Sequence, residues 1–488
     1  IAEAFSFGTE AITTNANTHQ TLIADGGTDP GRSMFLKYTG TLDSACTITI
    51  SAGSSATDFT ISKLWFIENA TTGGENIIIT SGSGADVTIP AGDVKVVYTD
   101  GAGSGGAVVD AFASLSVVDL KVQDDLTVTD DAAILGALAV TGDYSSTTSG
   151  TSNLRLGVNA GNSIASGGNF NTVVGDEAGT AITTGDGNVF TGYASGDALT
   201  LGSSNTAVGR DSLGADTLGN NSVAIGRNSL TNQNFTTATD VFNTAVGFEA
   251  GKEVTTGTSN TLLGARSGDA LTTGSLNVAV GLDALTTDTA GNRSIAIGLN
   301  ALQTQNFSTS TSVYNTAVGY EAGKAVTTGV NNTLIGGLAG DSLTDADFNV
   351  ALGSNALIAD TLGSRSVAIG YAALTSQNFT TATDSNNVAV GMLAGANVTT
   401  GTLNTLIGSL AGDALTVGNS NTALGQGALS SDTKGDTSVA IGILALQDQN
   451  FTTSTDVYNT AVGAFAGENV TTGVRNSIIG GLAGDALT

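Results

Sequence analysis

Polar and apolar positions repeat in one short pattern through the second two-thirds of the chain. The pattern is Asn-Thr-Ala-Val-Gly or a close variant, and the residue before the glycine is aliphatic in 17 of 18 cases, with Thr191 as the exception. β-Branched residues beside Gly and Thr favour short strands and turns over helices. The marker glycines are Gly175, Gly192, Gly209, Gly226, Gly247, Gly264, Gly281, Gly298, Gly319, Gly336, Gly353, Gly370, Gly391, Gly408, Gly425, Gly442, Gly463 and Gly480.

The spacing of the marker glycines is regular. Successive spacings are 17, 17, 17 and 21 residues, so four units form a super-repeat of 72 residues, with copies that start at Asn171, Asn243, Asn315, Asn387 and Asn459. A unit of this length cannot bury its own core, but stacked units bury a continuous one. The spacing predicts a parallel β-solenoid with one turn per marker glycine. Eighteen turns stacked about 4.8 Å apart would make a rod of roughly 86 Å.

Three positions near the marker glycine predict how the turns pack. The residue four before it is Asn in 14 turns and Ser in the 21-residue turns, which predicts a ladder of stacked Asn side chains. In the first two turns of each copy the fourth residue after the marker is Gly and the seventh is a large aliphatic, as in Gly251 and Val254. In the last two turns the fourth is Leu and the seventh is polar, as in Leu285 and Asp288. This alternation predicts volume compensation in one core.

Residues 1–115 lack the repeat and form the first predicted domain. Strand-like alternation occurs in Cys46–Ile50, Phe59–Ile67, Asn76–Thr80 and Asp93–Tyr98, with turn-forming clusters between them. Short strands at this spacing predict an N-terminal β-sandwich-like module.

Residues 116–152 form the second predicted domain, a neck before the solenoid shaft of residues 153–488. Its short apolar segments, such as Leu126-Thr-Val128, are too small to bury themselves within one chain. We therefore expect three chains to intertwine here and share one core. The whole chain is predicted to be all-β and homotrimeric.

The negative net charge and the scarcity of Cys and His exclude several classes of function. The net charge is −28 with only 15 Lys and Arg, so the chain lacks the basic patch that nucleic-acid binding needs. One cysteine, Cys46, and one histidine, His19, allow neither a Cys-based metal site nor a His pair for catalysis. No apolar stretch reaches the ~18 residues of a membrane span. We expect no cofactor, no metal, no membrane insertion and no nucleic-acid partner.

Two columns of carboxylates recur along the shaft and are candidates for catalytic or calcium-binding groups. A catalytic pair is normally built once, whereas these carboxylates recur in every copy, so we expect no enzyme activity. Calcium binding remains an alternative to solvated turn residues, because carboxylates and carbonyls suit that ion. One column comprises Asp197, Asp269, Asp341, Asp413 and Asp485, and the other Asp216, Asp288, Asp360 and Asp432.

The 21-residue turns carry Gln-Asn-Phe segments, and their four extra residues are expected to protrude as loops. The aromatic residues are Phe235, Phe307, Phe379 and Phe451. As possible glycan or receptor contacts, they would form platforms for sugar stacking. The alternatives are that they fold back as a lid on the shaft or pack against a neighbouring chain.

The shaft resembles the head repeats of trimeric autotransporter adhesins. The resemblance lies in the SVAIG segments Ser222–Gly226, Ser366–Gly370 and Ser438–Gly442 and in the SIAIG segment Ser294–Gly298. It implies a parallel β-roll packed as a trimer.

Ile61–Ala70, Val94–Phe112 and Asp124–Asp131 resemble modules of marine-type bacteriophage tail fibres. That resemblance implies a structural fibre of the virion that extends from the tail to position host-receptor binding. Its partners would be other copies of the chain, other tail or baseplate proteins, and a host-surface glycan or protein. The alternatives are a bacterial or archaeal surface adhesin or filament subunit, located on the cell surface, and a tailspike polysaccharide depolymerase.

Overall fold

The structure is a computed structural model that describes residues 5–24, 29–53, 57–113 and 149–488. The chain divides into two compact units, Ile1–Ala137 and Leu138–Thr488. Two short 3₁₀ turns, Pro30–Arg32 and Gly103–Gly105, lie wholly within the described residues. Almost all of the neck predicted for 116–152 lies outside the described residues.

The first unit contains nine strands in two sheets. Each sheet begins with three parallel strands and continues with antiparallel ones; the orders are β1-β3-β5-β8-β9 and β2-β4-β6-β7. The strands are β1 (Phe7–Ala11), β2 (Thr18–Ile23), β3 (Phe35–Thr41), β4 (Cys46–Ala52), β5 (Ser62–Thr72), β6 (Ile77–Thr80), β7 (Val87–Ile89), β8 (Val94–Asp100) and β9 (Val108–Asp110).

Both sheets contribute side chains to one core. Trp65 of β5 and Tyr38 of β3 are fully buried together with Ile48 and Cys46 of β4. The indole nitrogen of Trp65 donates a hydrogen bond of 2.8 Å to the carbonyl oxygen of Gly31, which satisfies the one polar atom of that ring. The four predicted strand segments coincide with, or overlap, β4, β5, β6 and β8.

The second unit is a parallel β-solenoid, as predicted. Nineteen strands of three residues form one sheet, and neighbouring strands pair in parallel, in register, one turn apart. Each of the 18 marker glycines directly follows a strand, and one further strand precedes Gly157. The strands are β10 (Leu154–Leu156), β11 (Thr172–Val174), β12 (Val189–Thr191), β13 (Thr206–Val208), β15 (Val223–Ile225), β17 (Thr244–Val246), β18 (Thr261–Leu263), β19 (Val278–Val280), β21 (Ile295–Ile297), β23 (Thr316–Val318), β24 (Thr333–Ile335), β25 (Val350–Leu352), β27 (Val367–Ile369), β29 (Val388–Val390), β30 (Thr405–Ile407), β31 (Thr422–Leu424), β33 (Val439–Ile441), β35 (Thr460–Val462) and β36 (Ser477–Ile479).

The 21-residue turns add a second, smaller pairing. Each insert contributes a two-residue strand that pairs in parallel with the turn before it, so the insert is tied to the shaft. Part of each insert is therefore a paired strand, in a segment that the sequence predicts as a protruding loop. The pairs are β14 (Gly219–Asn220) with β16 (Thr239–Asp240), β20 (Gly291–Asn292) with β22 (Thr311–Ser312), β26 (Gly363–Ser364) with β28 (Thr383–Asp384), and β32 (Gly435–Asp436) with β34 (Thr455–Asp456).

Alternating large and small residues fill the shaft core. From β11 onward the middle residue of each long-sheet strand is buried in the core, and it is Leu262 in β18 where most other strands have Ala. A Cβ atom on Gly251 would lie 2.6 Å from a methyl carbon of Leu262, and one on Gly268 would lie 2.8 Å from another. Glycine at both positions therefore makes room for that leucine. In the last two turns of each copy, where the strand has Ala, Leu285 and its equivalents enter the same core.

The marker glycines are required by geometry. Gly336 has φ +138°, and a Cβ atom there would lie 2.5 Å from the carbonyl carbon and oxygen of Gly353 in the next turn. Only glycine adopts such a backbone without strain, and only a residue without Cβ permits this approach. The same close contact links most marker glycines to the next one along the shaft.

Candidate functional site

The predicted Asn ladder runs through the shaft beside the long sheet. The backbone N–H of Asn188 donates to Oδ1 of Asn171 (2.9 Å), and Nδ2 of Asn188 donates to the carbonyl oxygen of Gly202 (2.9 Å). Asn205 repeats both contacts one turn later. These side chains are fully buried, so each amide satisfies backbone groups that no water reaches.

At each 21-residue turn the ladder passes through a glutamine. Ser222 replaces the Asn, and Nε2 of Gln233 donates to its Oγ (2.9 Å). Oε1 of Gln233 accepts a hydrogen bond from Nδ2 of Asn243 in the next turn (2.9 Å). The short serine thus leaves space for the Gln side chain, which restores the missing amide. The sequence shows both Ser222 and Gln233, but only the fold shows that their side chains are in contact.

The same glutamine contacts a buried carboxylate. Nε2 of Gln233 donates to Oδ2 of Asp216 (2.6 Å), while the N–H groups of Gly219 and Phe235 donate to Oδ1 (3.1 Å each). The carboxylate is fully buried and has three donors. The equivalent residues Asp288, Asp360 and Asp432 accept the same set of hydrogen bonds. Their role is to fix the start of each insert.

Burial and hydrogen bonding oppose each other at Asp288. Loss of solvent raises the pKa of its carboxyl group, while hydrogen bonds from Gln305 and from the backbone N–H groups of Phe307 and Gly291 act in the other direction. A group with three protein partners and no exposed surface has no access to a substrate. These aspartates therefore offer no surface carboxylate pair.

The phenylalanines of the inserts lie beneath the loop surface. Phe235, Phe307, Phe379 and Phe451 are only 7%, 9%, 6% and 8% exposed. A Cβ atom on Gly363 would lie 2.7 Å from the Phe379 ring, so that glycine makes room for the aromatic side chain. The exposed part of each insert consists of small residues such as Thr236, Thr237 and Ala238. A buried ring presents no face to a sugar, so this geometry favours the lid that was the alternative to a glycan contact.

The second aspartate column is half-buried and poorly partnered. Desolvation raises the pKa of Asp197, Asp269, Asp341 and Asp413. Oδ1 of Asp341 and Oδ1 of Asp413 are buried without a hydrogen-bond partner, whereas Asp269 accepts a hydrogen bond from Thr286. In the residues described, no three His, Cys, Asp or Glu side chains come together in a way that could hold a metal ion.

The outer surface of the long sheet carries a feature that the sequence pattern alone did not indicate. The first and third residues of each three-residue strand face away from the core, as Thr206 and Val208 do on either side of the buried Ala207. We call these positions the outer rows. They form a continuous sheet face of Thr, Val, Ile and Leu along the shaft, with Ser477 in the last strand.

Comparison of the chain with protein-family models, curated proteins and solved structures gave no match. Within the described part of the chain, no helix is long and apolar enough to cross a membrane. Function is therefore inferred from the chain's own residues.

Proposed function

We propose that this chain is the structural shaft of a homotrimeric fibre on a bacteriophage virion, which holds a host-receptor contact away from the tail. The observation that carries the proposal is the unbroken 19-stranded parallel sheet. Its repeat stacks core, Asn ladder and marker glycines in one direction, and neighbouring turns support each other. Such an arrangement gives length and stiffness rather than a pocket. Its partners would be copies of itself, tail or baseplate proteins, and a host-surface glycan or protein.

The first unit is proposed to be a β-sandwich-like module, followed by an intertwined neck and then the shaft. Support for the module comes from the shared core of its two sheets, which includes Trp65 and Tyr38. Support for a virion fibre comes from the resemblance of Ile61–Ala70 and Val94–Phe112 to tail-fibre modules; these segments form most of β5, β8 and β9.

A surface adhesin or filament subunit is the second candidate. The SVAIG segments coincide with strands β15, β27 and β33 and their marker glycines, so the adhesin-like motif is itself the turn-forming unit of this shaft. Depolymerase activity is not proposed, because the Asp216 column is buried and fully hydrogen-bonded.

Immunogold electron microscopy separates the two candidates. An antibody raised against the purified chain is applied to phage particles and to uninfected cells from the source culture. Gold on phage tails is expected. Gold on the envelope of uninfected cells would overturn the virion assignment and support the adhesin. Labelling of neither structure would overturn both.

The shaft itself is tested by the shape and mass of the purified chain. Negative-stain images are expected to show rods with a regular segment of about 86 Å. Sedimentation is expected to give three chains of 48.1 kDa each. Compact round particles would contradict the shaft, and a one- or two-chain mass would contradict the trimer.

A further inference from the structure

The outer rows of the long sheet are open to solvent. Ile297 is 37% exposed, and Leu352 and Leu424 are each 43% exposed, although neighbours in the same row cover part of each side chain. The third residue of the strand is aliphatic in 17 of the 18 turns that end on a marker glycine. The apolar row therefore continues along the shaft without a polar break except at Thr191.

Charge is absent from these rows. Over the same 18 turns, neither the first nor the third strand residue is Asp, Glu, Lys or Arg, although 12% of the chain is charged and its net charge is −28. The acidic residues lie at other positions of the turn, such as Glu249 and Asp283 two residues after a marker glycine. A chain this acidic repels its own copies in general, so a long uncharged face is where copies can approach without like-charge contact.

The area of this face matches a stable protein interface. Nineteen strands about 4.8 Å apart and roughly 10 Å wide give a face of about 860 Å². Standard protein interfaces bury about 800 Å² on each partner. Ten of the 18 residues in the first row are Thr or Ser, so the third-residue row supplies the continuous apolar part of this face.

We propose that the outer rows are the self-association surface of the shaft, and that they pack against the same rows of another copy of this chain. The proposal rests on the homo-oligomeric shaft proposed above and adds the surface through which it assembles. The interior-facing residue of the same strand plays no part, because Leu262 and its equivalents are already buried within one chain.

The test introduces charge on this face and, as a control, on another face. Glutamate at an outer-row position would be desolvated against a second copy, whereas glutamate on the exposed surface of an insert would stay in water. The face variant combines Ile297→Glu, Leu352→Glu and Leu424→Glu, and the control combines Thr309→Glu, Thr381→Glu and Thr453→Glu. Both add three negative charges to the full chain.

Sedimentation of the three proteins decides the inference. The wild type and the control are expected to sediment alike, and the face variant more slowly, because its shafts separate while the proposed neck still holds the chains together. Unchanged circular dichroism in the face variant would show that it still folds. A face variant that keeps the wild-type sedimentation coefficient overturns this inference and leaves the trimeric shaft standing. A wild-type dimer whose sedimentation coefficient falls in the face variant overturns the trimer but supports this face.

A milder substitution covers the case in which the face variant fails to fold. A spin label is attached to Leu352→Cys or, as control, to Thr381→Cys; the natural Cys46 is buried. The label at position 352 is expected to be immobilised, and the label at position 381 to be mobile. Equal mobility at both sites would overturn the inference.

Discussion

A methyl group at one marker glycine should open the shaft locally. In Gly336→Ala, the new Cβ atom would lie 2.5 Å from the carbonyl carbon and oxygen of Gly353, on a backbone with φ +138°. Positive-φ strain for a residue with Cβ costs about 1–3 kcal/mol. Relief of the overlap by a shift of one turn adds about 1–3 kcal/mol. The expected total is about 2–6 kcal/mol, concentrated in two turns because contacts link only neighbouring turns.

The adjacent glycine supplies a matched control. Gly337 has open space around the place where a Cβ atom would stand and no positive φ, so Gly337→Ala should stay within about 1 kcal/mol of the wild type. Hydrogen exchange by mass spectrometry is the assay, since it reports local opening. Peptides that contain the amides of Gly336 and Gly353, which donate to Val318 and Ile335, should lose protection about thirtyfold or more in Gly336→Ala only. Equal protection in both variants would refute the geometric argument.

Three further predictions concern the buried groups of the turns. Asp288→Ala leaves three donors, among them the amide of Gln305, without an acceptor, so chemical unfolding should show a loss of about 2–5 kcal/mol; an unchanged midpoint would contradict this. Phe307→Ala should lower the free energy of unfolding by about 3 kcal/mol because the ring is buried. A melting temperature equal to that of the wild type would contradict this burial. Desolvation raises the pKa of Asp341 and Asp413, so the folded shaft holds these protons more tightly and should gain stability as pH falls from 7 toward the ordinary Asp range. Calorimetry should show a smaller rise in melting temperature with falling pH in the variant Asp341→Asn, Asp413→Asn than in the wild type. The same pH dependence in both proteins would contradict the role of desolvation.

Much of the shaft could be predicted from sequence because its information is local and repeated. The markers fix the register at every turn, since a parallel stack allows only in-register pairing of like units. The Asn column and the strand before each glycine follow from the same periodicity, and the structure confirms both.

Only the tertiary structure shows where the inserts of the 21-residue turns lie and which side chains they contact. The inserts were expected to project outward, but Phe307 turns inward because Asp288 of the preceding turn accepts its backbone N–H (3.0 Å), nineteen residues away in sequence. In the sequence, nothing links Ser294 to Gln305. In the structure, the amide of Gln305 donates a hydrogen bond to Ser294 and fills the space that the shorter serine leaves in the Asn ladder. The parallel pairing of β1, β3 and β5 likewise joins segments that alternation marks only as strands. Sequence periodicity determines what each turn has in common; contacts between turns determine where the remaining side chains find room.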